Sequence, residues 1–289
     1  MYLAHWNLRE QPFQNVADAR FAYLSEQHQE GLARLIYVVK SRKLGGVLIG
    51  TYGAGKSMLL ELLARNDETV AGTRFVQFDA PSGGADGLAR QVLGALERGS
   101  RFTDTDGALE TIRDLTINSK AGFPHTTLAI DEAQMIHDPD AIDFLHRLTN
   151  FRLVNGSDRP DCPAFTLILA GHVELEMLVS RKAAFRQRLS MIWHLEPLDE
   201  RQTIEYVEFR MRAAGGDIWV FEEDTIVDAA AASGGIPRVI NNICDVALMM
   251  GFALKSTRIT RKIMQQAIEE VCPRQSVKEE PKTRDEGTP

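Results

Sequence analysis

Cysteine is scarce and scattered. Its three copies, Cys162, Cys244 and Cys272, are odd in number, far apart, and form no CxxC pair. That argues against a disulfide framework or a cysteine zinc site, and leaves reduced thiols as the reading. Long apolar runs are also missing. The strongly apolar stretch Val246–Leu254 falls far short of the ~20 residues that span a bilayer. The first residues, Met1-Tyr2-Leu3-Ala4-His5-Trp6, carry neither a basic leader nor a long apolar segment, so no secretory signal is expected. Positive charge is not in excess either. Lys and Arg number 33 against 40 Asp and Glu, for a net charge of -7. This excludes a surface that coats nucleic acid by charge over its whole extent, and leaves a local basic groove open. A cytoplasmic chain without a transmembrane segment is the expectation.

What is present is ordinary globular material: 44% hydrophobic and 25% charged residues over 289 positions, enough for one large domain or one plus a small one. Five short apolar runs read as strands: Leu44–Gly50, Thr73–Ala80, Thr126–Ala133, Ala164–Gly171 and Ile192–Leu198. Three are almost continuously apolar, as strands buried on both faces of a parallel sheet must be. Helix-like segments lie between them, among them Ser57–Arg65, Ala85–Glu97 and Asp140–Leu153. Alternation of this kind indicates an α/β sheet with crossovers. Beyond Pro197 the pattern becomes helical throughout: Asp199–Ala214, Glu222–Ser233, Pro237–Leu254 and Thr260–Val271, with Gly215-Gly216 and Gly234-Gly235 as stops. The expected division is an α/β domain over 1–197, a helical domain over 198–272, and a charged, disordered tail over 273–289.

The sharpest signal is Gly50-Thr51-Tyr52-Gly53-Ala54-Gly55-Lys56-Ser57, a complete G-x-x-x-x-G-K-[ST]. An apolar strand precedes it and a helix-forming run beginning at Met58 follows, which is the context the motif requires. Glycines let the backbone curl until its N–H groups converge on phosphate oxygens, and the positive end of the next helix adds to that field. Lys56 then reaches the β- and γ-phosphates and the Ser57 hydroxyl ligates Mg²⁺, so ATP and Mg²⁺ are the expected ligands.

The third apolar run ends in Asp131-Glu132. Strand ends of this kind face the ligand in open α/β sheets. Asp131 is placed to hold Mg²⁺, and Glu132 to orient and polarise the attacking water. Alone, such a pair reads first as a solvated acidic turn; downstream of a complete phosphate loop it reads as metal and water chemistry.

Three further positions carry polar groups where a phosphate site would use them. His172 follows the fourth strand and either contacts the attacking water or is an ordinary loop histidine. Arg186 and Arg188 precede the fifth strand; one of them, preferentially Arg188, suits an arginine finger supplied to a neighbouring subunit, and either suits a surface charge. Arg238 sits in the first turn of a helix opened by Pro237, where a cation opposes the helix dipole unless an anion is bound.

With these residues placed, the chain resembles the AAA+ ATPases of the general secretion pathway A (ExeA-like) family. The likeness runs through Tyr2–Phe13, Asp18–Ser25, Gln27–Leu35, the phosphate loop and acidic pair, Gly171–Leu175, Arg186–Leu189 and Gly234–Asn242, over about residues 1–271. The resemblance implies a parallel five-stranded sheet ordered 5-1-4-3-2 beneath a helical lid, with nucleotide at the junction. It implies that Phe21, Tyr23 and Pro237 lie near the adenine, that Arg238 is the second sensor and His172 the first. It also implies an ATP-dependent homo-oligomer, ring or filament, acting on a protein partner as a motor or switch. The same core is similar to TniB/TnsC-type transposition ATPases, which implies double-stranded DNA as the alternative partner, with Arg147 and Arg152 as basic positions for it.

Overall fold

A computed structural model of the chain describes residues 2–66, 72–96, 103–118, 124–153, 162–222 and 224–273. The expected tail lies outside the described residues except for Pro273.

Among the described residues the central sheet holds five strands: β1 (Gly45–Gly50), β2 (Thr73–Asp79), β3 (His125–Asp131), β4 (Phe165–Gly171) and β5 (Met191–Leu195). All their pairings are parallel, and their spatial order is β2-β3-β4-β1-β5, which is the expected 5-1-4-3-2 read from the other edge. Strands β1, β3 and β4 are buried at every residue. Their near-continuous apolar composition is the direct consequence, since helices cover both faces.

The helices flanking the sheet are α1 (Glu26–Lys40), α2 (Lys56–Ala64), α3 (Gly84–Leu96), α4 (Thr105–Asn118), α5 (Pro139–Leu148), α6 (Glu174–Ser180) and the single turn α7 (Ala183–Arg186). Two hydrophobic cores result. One side packs Leu88, Val92, Phe144 and Leu145 against Leu128 and Leu167; the other packs Leu35, Leu59 and Leu63 against Leu48 and Ile168. Helix α5 is shorter than expected. Thr149 caps it, and Arg152–Leu153 instead pairs antiparallel with Cys162–Pro163. A β-ladder after three residues of loop replaces helix continuation there, with Phe151 packed on Phe165 at the head of β4.

The last four helices are α8 (Glu200–Ala213), α9 (Thr225–Ser233), α10 (Pro237–Ala253) and α11 (Arg261–Val271). Asp199 opens α8 with a reciprocal capping box: its carboxylate accepts from Gln202 N, while the Gln202 side chain accepts from Asp199 N. Helix α9 starts three residues later than expected, at Thr225 after Asp224 in a left-handed conformation; Glu222 instead accepts Arg261 N from α11.

The N-terminal residues correct the expected division at 197. Tyr2, Trp6, Leu8, Phe13 and Phe21 are buried with Val207, Met211, Ile243 and Leu248, so they belong to the core of the terminal helices and not to that of the sheet. Trp6 Nε1 donates to Leu248 O, and Arg210 donates to Pro12 O and Gln14 O at 2.6 and 2.8 Å. Among the described residues no helix is long and apolar enough to cross a membrane.

Candidate functional site

The site forms where the carboxyl ends of β1, β3 and β4 meet the first turn of α10. At the end of β1 the chain turns through Gly53 and Gly55, with φ of 82° and 100°. Residues with a Cβ avoid that region, and at Gly53 an added Cβ would also lie 2.5 Å from the Cβ of Arg238. The loop is thus narrow enough for the terminal helices to rest on it, and Arg238 N donates to Gly53 O at 3.3 Å.

Lys56 opens α2 and is buried, with its Nζ donating to Gly50 O and Thr51 O at 2.9 and 3.0 Å. Burial pulls its pKa down, opposed by the charges of Glu132 and Asp131, while Arg238 adds to the decrease. The ammonium therefore sits where an anion would relieve its desolvation. Ser57 donates its hydroxyl proton to Asp131 Oδ2 at 2.6 Å. A hydroxyl and a carboxylate oxygen in contact are the hard oxygen donors Mg²⁺ takes. The Thr51 hydroxyl is buried without a partner among the described residues. Thr51, Lys56 and the Ser57–Asp131 pair thus fit a magnesium triphosphate: amides and an ammonium for the phosphates, two oxygens for the metal.

Glu132 follows Asp131 in a left-handed conformation, φ 49°, and its amide donates to Asp131 Oδ1 at 2.9 Å. This sharp turn sends successive carboxylates to different places, one to Ser57 and the other toward the end of β4. There Gln134 Nε2 donates to Glu132 Oε2 at 2.6 Å, and Gln134 Oε1 accepts from His172 N at 3.0 Å. The His172 ring stacks on Tyr52 of the phosphate loop at 4.6 Å and 12°, and pairs with Glu174, lowering that carboxyl's pKa.

Above the loop lies a solvent-open cleft of about 930 Å³ bordered by Phe21, Tyr23, Met58, Pro237, Arg238 and Asn241. Tyr23 donates to Glu205 Oε2 at 2.6 Å and packs edge-on against Tyr206. The Arg238 side chain makes no hydrogen bond or ion pair with the described residues, while lying close enough to Lys56 to depress its pKa. Arg188 stands apart, just before the amino-terminal end of β5, at the opposite end of the strands from the phosphate loop. Its guanidinium donates to Thr149 Oγ1 and Asn150 Oδ1, both at 2.6 Å. Arg186 donates to Leu189 O at 3.2 Å. Neither reaches its own chain's phosphate loop. Arg147 pairs with Asp106, and Arg152 donates to Thr149 O and Phe151 O.

Sequence reasoning passed over three residues that shape the site. His28, on α1, lies beneath the phosphate loop with Nε2 3.0 Å from Ala54 O and Nδ1 2.7 Å from Ser25 Oγ. Burial pushes its pKa down, so the neutral ring donates through Nε2 to the loop and accepts from Ser25 at Nδ1. Arg210 on α8 donates to Tyr206 OH as well as to the N-terminal carbonyls. Gln134 is the third. His28 and Arg210 had a signal: each is a polar residue on the apolar stripe of its helix, alongside Gly31 and Leu35, or Tyr206 and Val207.

Comparison with known proteins gives a domain match, a relative and several likenesses of fold. Residues 39–179 match the family described as AAA domain. General secretion pathway protein A of Aeromonas hydrophila is 29% identical over 296 residues, covering 100% of this chain and 50% of that protein, so the chain spans about half the relative's length. Among solved structures, Cdc6p from Pyrobaculum aerophilum aligns with a TM-score of 0.66 at 17% identity, covering 89% of this chain and 71% of that one. The Aeropyrum pernix ORC2 protein in ADPNP–ADP complexes gives 0.65 at 15%, covering 87% and 71%. The RuvB Holliday junction branch migration motor of Thermotoga maritima gives 0.57 at 19%, covering 87% and 73%. At these identities the structural likeness is one of fold: the AAA+ arrangement of a parallel five-stranded sheet with a helical C-terminal part.

Proposed function

From the AAA domain that the chain carries, we propose that it binds and hydrolyses MgATP, using Lys56 and the loop amides for the phosphates, Ser57 and Asp131 for the metal, and Glu132 for water. The observation that carries the reading is the convergence of those side chains, from one helix and the end of one strand, with Ser57 Oγ 2.6 Å from Asp131 Oδ2. The metal, when bound, neutralises charge between the β- and γ-phosphates. Lys56 draws the terminal phosphates against the loop. Glu132, held by Gln134, accepts a proton from water. Arg238 approaches from the helical part and closes the cleft on the phosphate side, and Tyr23 and Pro237 border the space left for the base.

Arg188 completes the site from a second copy of the chain, because within one copy it lies at the amino-terminal end of β5, away from the carboxyl ends that carry the loop. The product is an ATP-dependent oligomer whose nucleotide state is passed to a protein partner, as the relative's secretion-pathway name suggests. The test is phosphate release from MgATP across a range of protein concentrations. Turnover should rise with concentration, and Glu132→Gln should reduce it by roughly 10²-fold or more while retaining binding. Unchanged turnover in that variant would overturn the reading. Double-stranded DNA belongs in the same assay: stimulation by DNA would favour the transposition-type alternative, although Arg147 and Arg152 are already engaged within the chain.

A further inference from the structure

Gln134 is buried, and both ends of its amide are used. The nitrogen donates to the Glu132 carboxylate at 2.6 Å, and the oxygen accepts the backbone N–H of His172 at 3.0 Å. The orientation follows from the neighbours. A backbone N–H needs an acceptor and an ionised carboxylate needs a donor, so the reverse amide would oppose like groups at both ends. Space is reserved for this arrangement. Gly171, the last residue of β4, would place a Cβ only 2.5 Å from Gln134 Oε1. Beyond His172 the connection continues, since its ring stacks on Tyr52 in the phosphate loop.

We propose that Gln134 is a positioning residue that ties the water-activating carboxylate of Glu132 to the backbone of the loop after β4, and through His172 to Tyr52 at the phosphates. The inference rests on reading Glu132 as the base. It adds that the base is aimed only while the β4 loop holds its place. Loss of the bond should therefore do what mere loosening of the fold would not: lower kcat without weakening ATP binding, and do so only while Glu132 is present to be aimed.

The experiment uses the full chain and four variants, with MgATP turnover and equilibrium binding of a fluorescent ATP analogue. Gln134→Met keeps length and loses both bonds. It should bind the analogue within about threefold of the unmodified chain and turn over roughly tenfold or more slowly. Gly171→Ala leaves Gln134 in place and displaces its oxygen; it should reproduce the same pattern. The pair Glu132→Gln with Gln134→Met should be no slower than Glu132→Gln alone, because Gln134 acts through Glu132. If Gln134→Met and Gly171→Ala both fold, bind and turn over at the unmodified rate, the proposal is wrong while the hydrolytic reading stands. If Glu132→Gln itself leaves turnover unchanged, the hydrolytic reading fails first. Additive loss in the double variant would also overturn the tie.

Discussion

Replacing Lys56 with Met separates what this side chain does for the fold from what it does for a ligand. Lys56 is 5% exposed and its ammonium donates to the two carbonyls of Gly50 and Thr51. No carboxylate touches it; Asp131 and Glu132 act on it only at longer range. Removing a buried cation relieves its desolvation and forfeits two hydrogen bonds to carbonyls, terms of opposite sign at about 1–3 kcal/mol each. Methionine fills nearly the same volume. The apoprotein should therefore unfold within a few degrees of the unmodified chain. The ligand effect is different. Any species that binds only the folded state stabilises it by RT ln(1 + [L]/Kd), about 2.7 kcal/mol at a hundred times Kd. At roughly 2–4 °C per kcal/mol, MgATP should raise the unfolding midpoint of the unmodified chain by roughly 5–10 °C. Lys56→Met should show little of that shift at the same MgATP concentration. Differential scanning fluorimetry with and without MgATP measures both quantities. An equal shift in the two proteins would refute a triphosphate bound against this loop. A collapse of the apoprotein midpoint would refute the claim that the lysine is held there for its ligand.

Two further outcomes follow from groups outside the loop. Arg210→Met leaves Pro12 O and Gln14 O without their donors, at about 1–3 kcal/mol each, partly offset by loss of a buried charge; it should lower the unfolding midpoint by several degrees and expose residues 2–17 to proteolysis, and a protease pattern identical to that of the unmodified chain would refute the clamp. The pKa values of His28, His125 and His146 are all depressed, with burial the leading cause. Below about pH 6.5 the unfolded chain takes up protons that the folded chain refuses, so the stability contributed by these groups is present above that value and is lost as pH falls through their lower folded values. Unfolding midpoints should fall between pH 7 and pH 5, with His28→Gln flattening part of that slope, and a midpoint that rises over this interval would contradict the neutral, buried assignment.

Much of the molecule is legible from local sequence because the physics there is local. The phosphate loop, its glycines and the strand and helix on either side lie within a short stretch, and each residue does its work through its own backbone angles or a neighbour's. The parallel sheet is equally legible, since β1, β3 and β4 must be apolar on both faces, and Asp199 with Gln202 states its cap outright. What only the tertiary structure decided are contacts between residues far apart in the chain. No local pattern puts His28 under Ala54, threads Gln134 between Glu132 and the amide of His172, or directs Arg210 to carbonyls nearly two hundred positions earlier. The same holds for the N-terminal residues. Tyr2, Trp6 and Phe13 look like the start of the α/β part by position. They are buried with the terminal helices because that apolar face, left uncovered by the sheet, is where their side chains leave water.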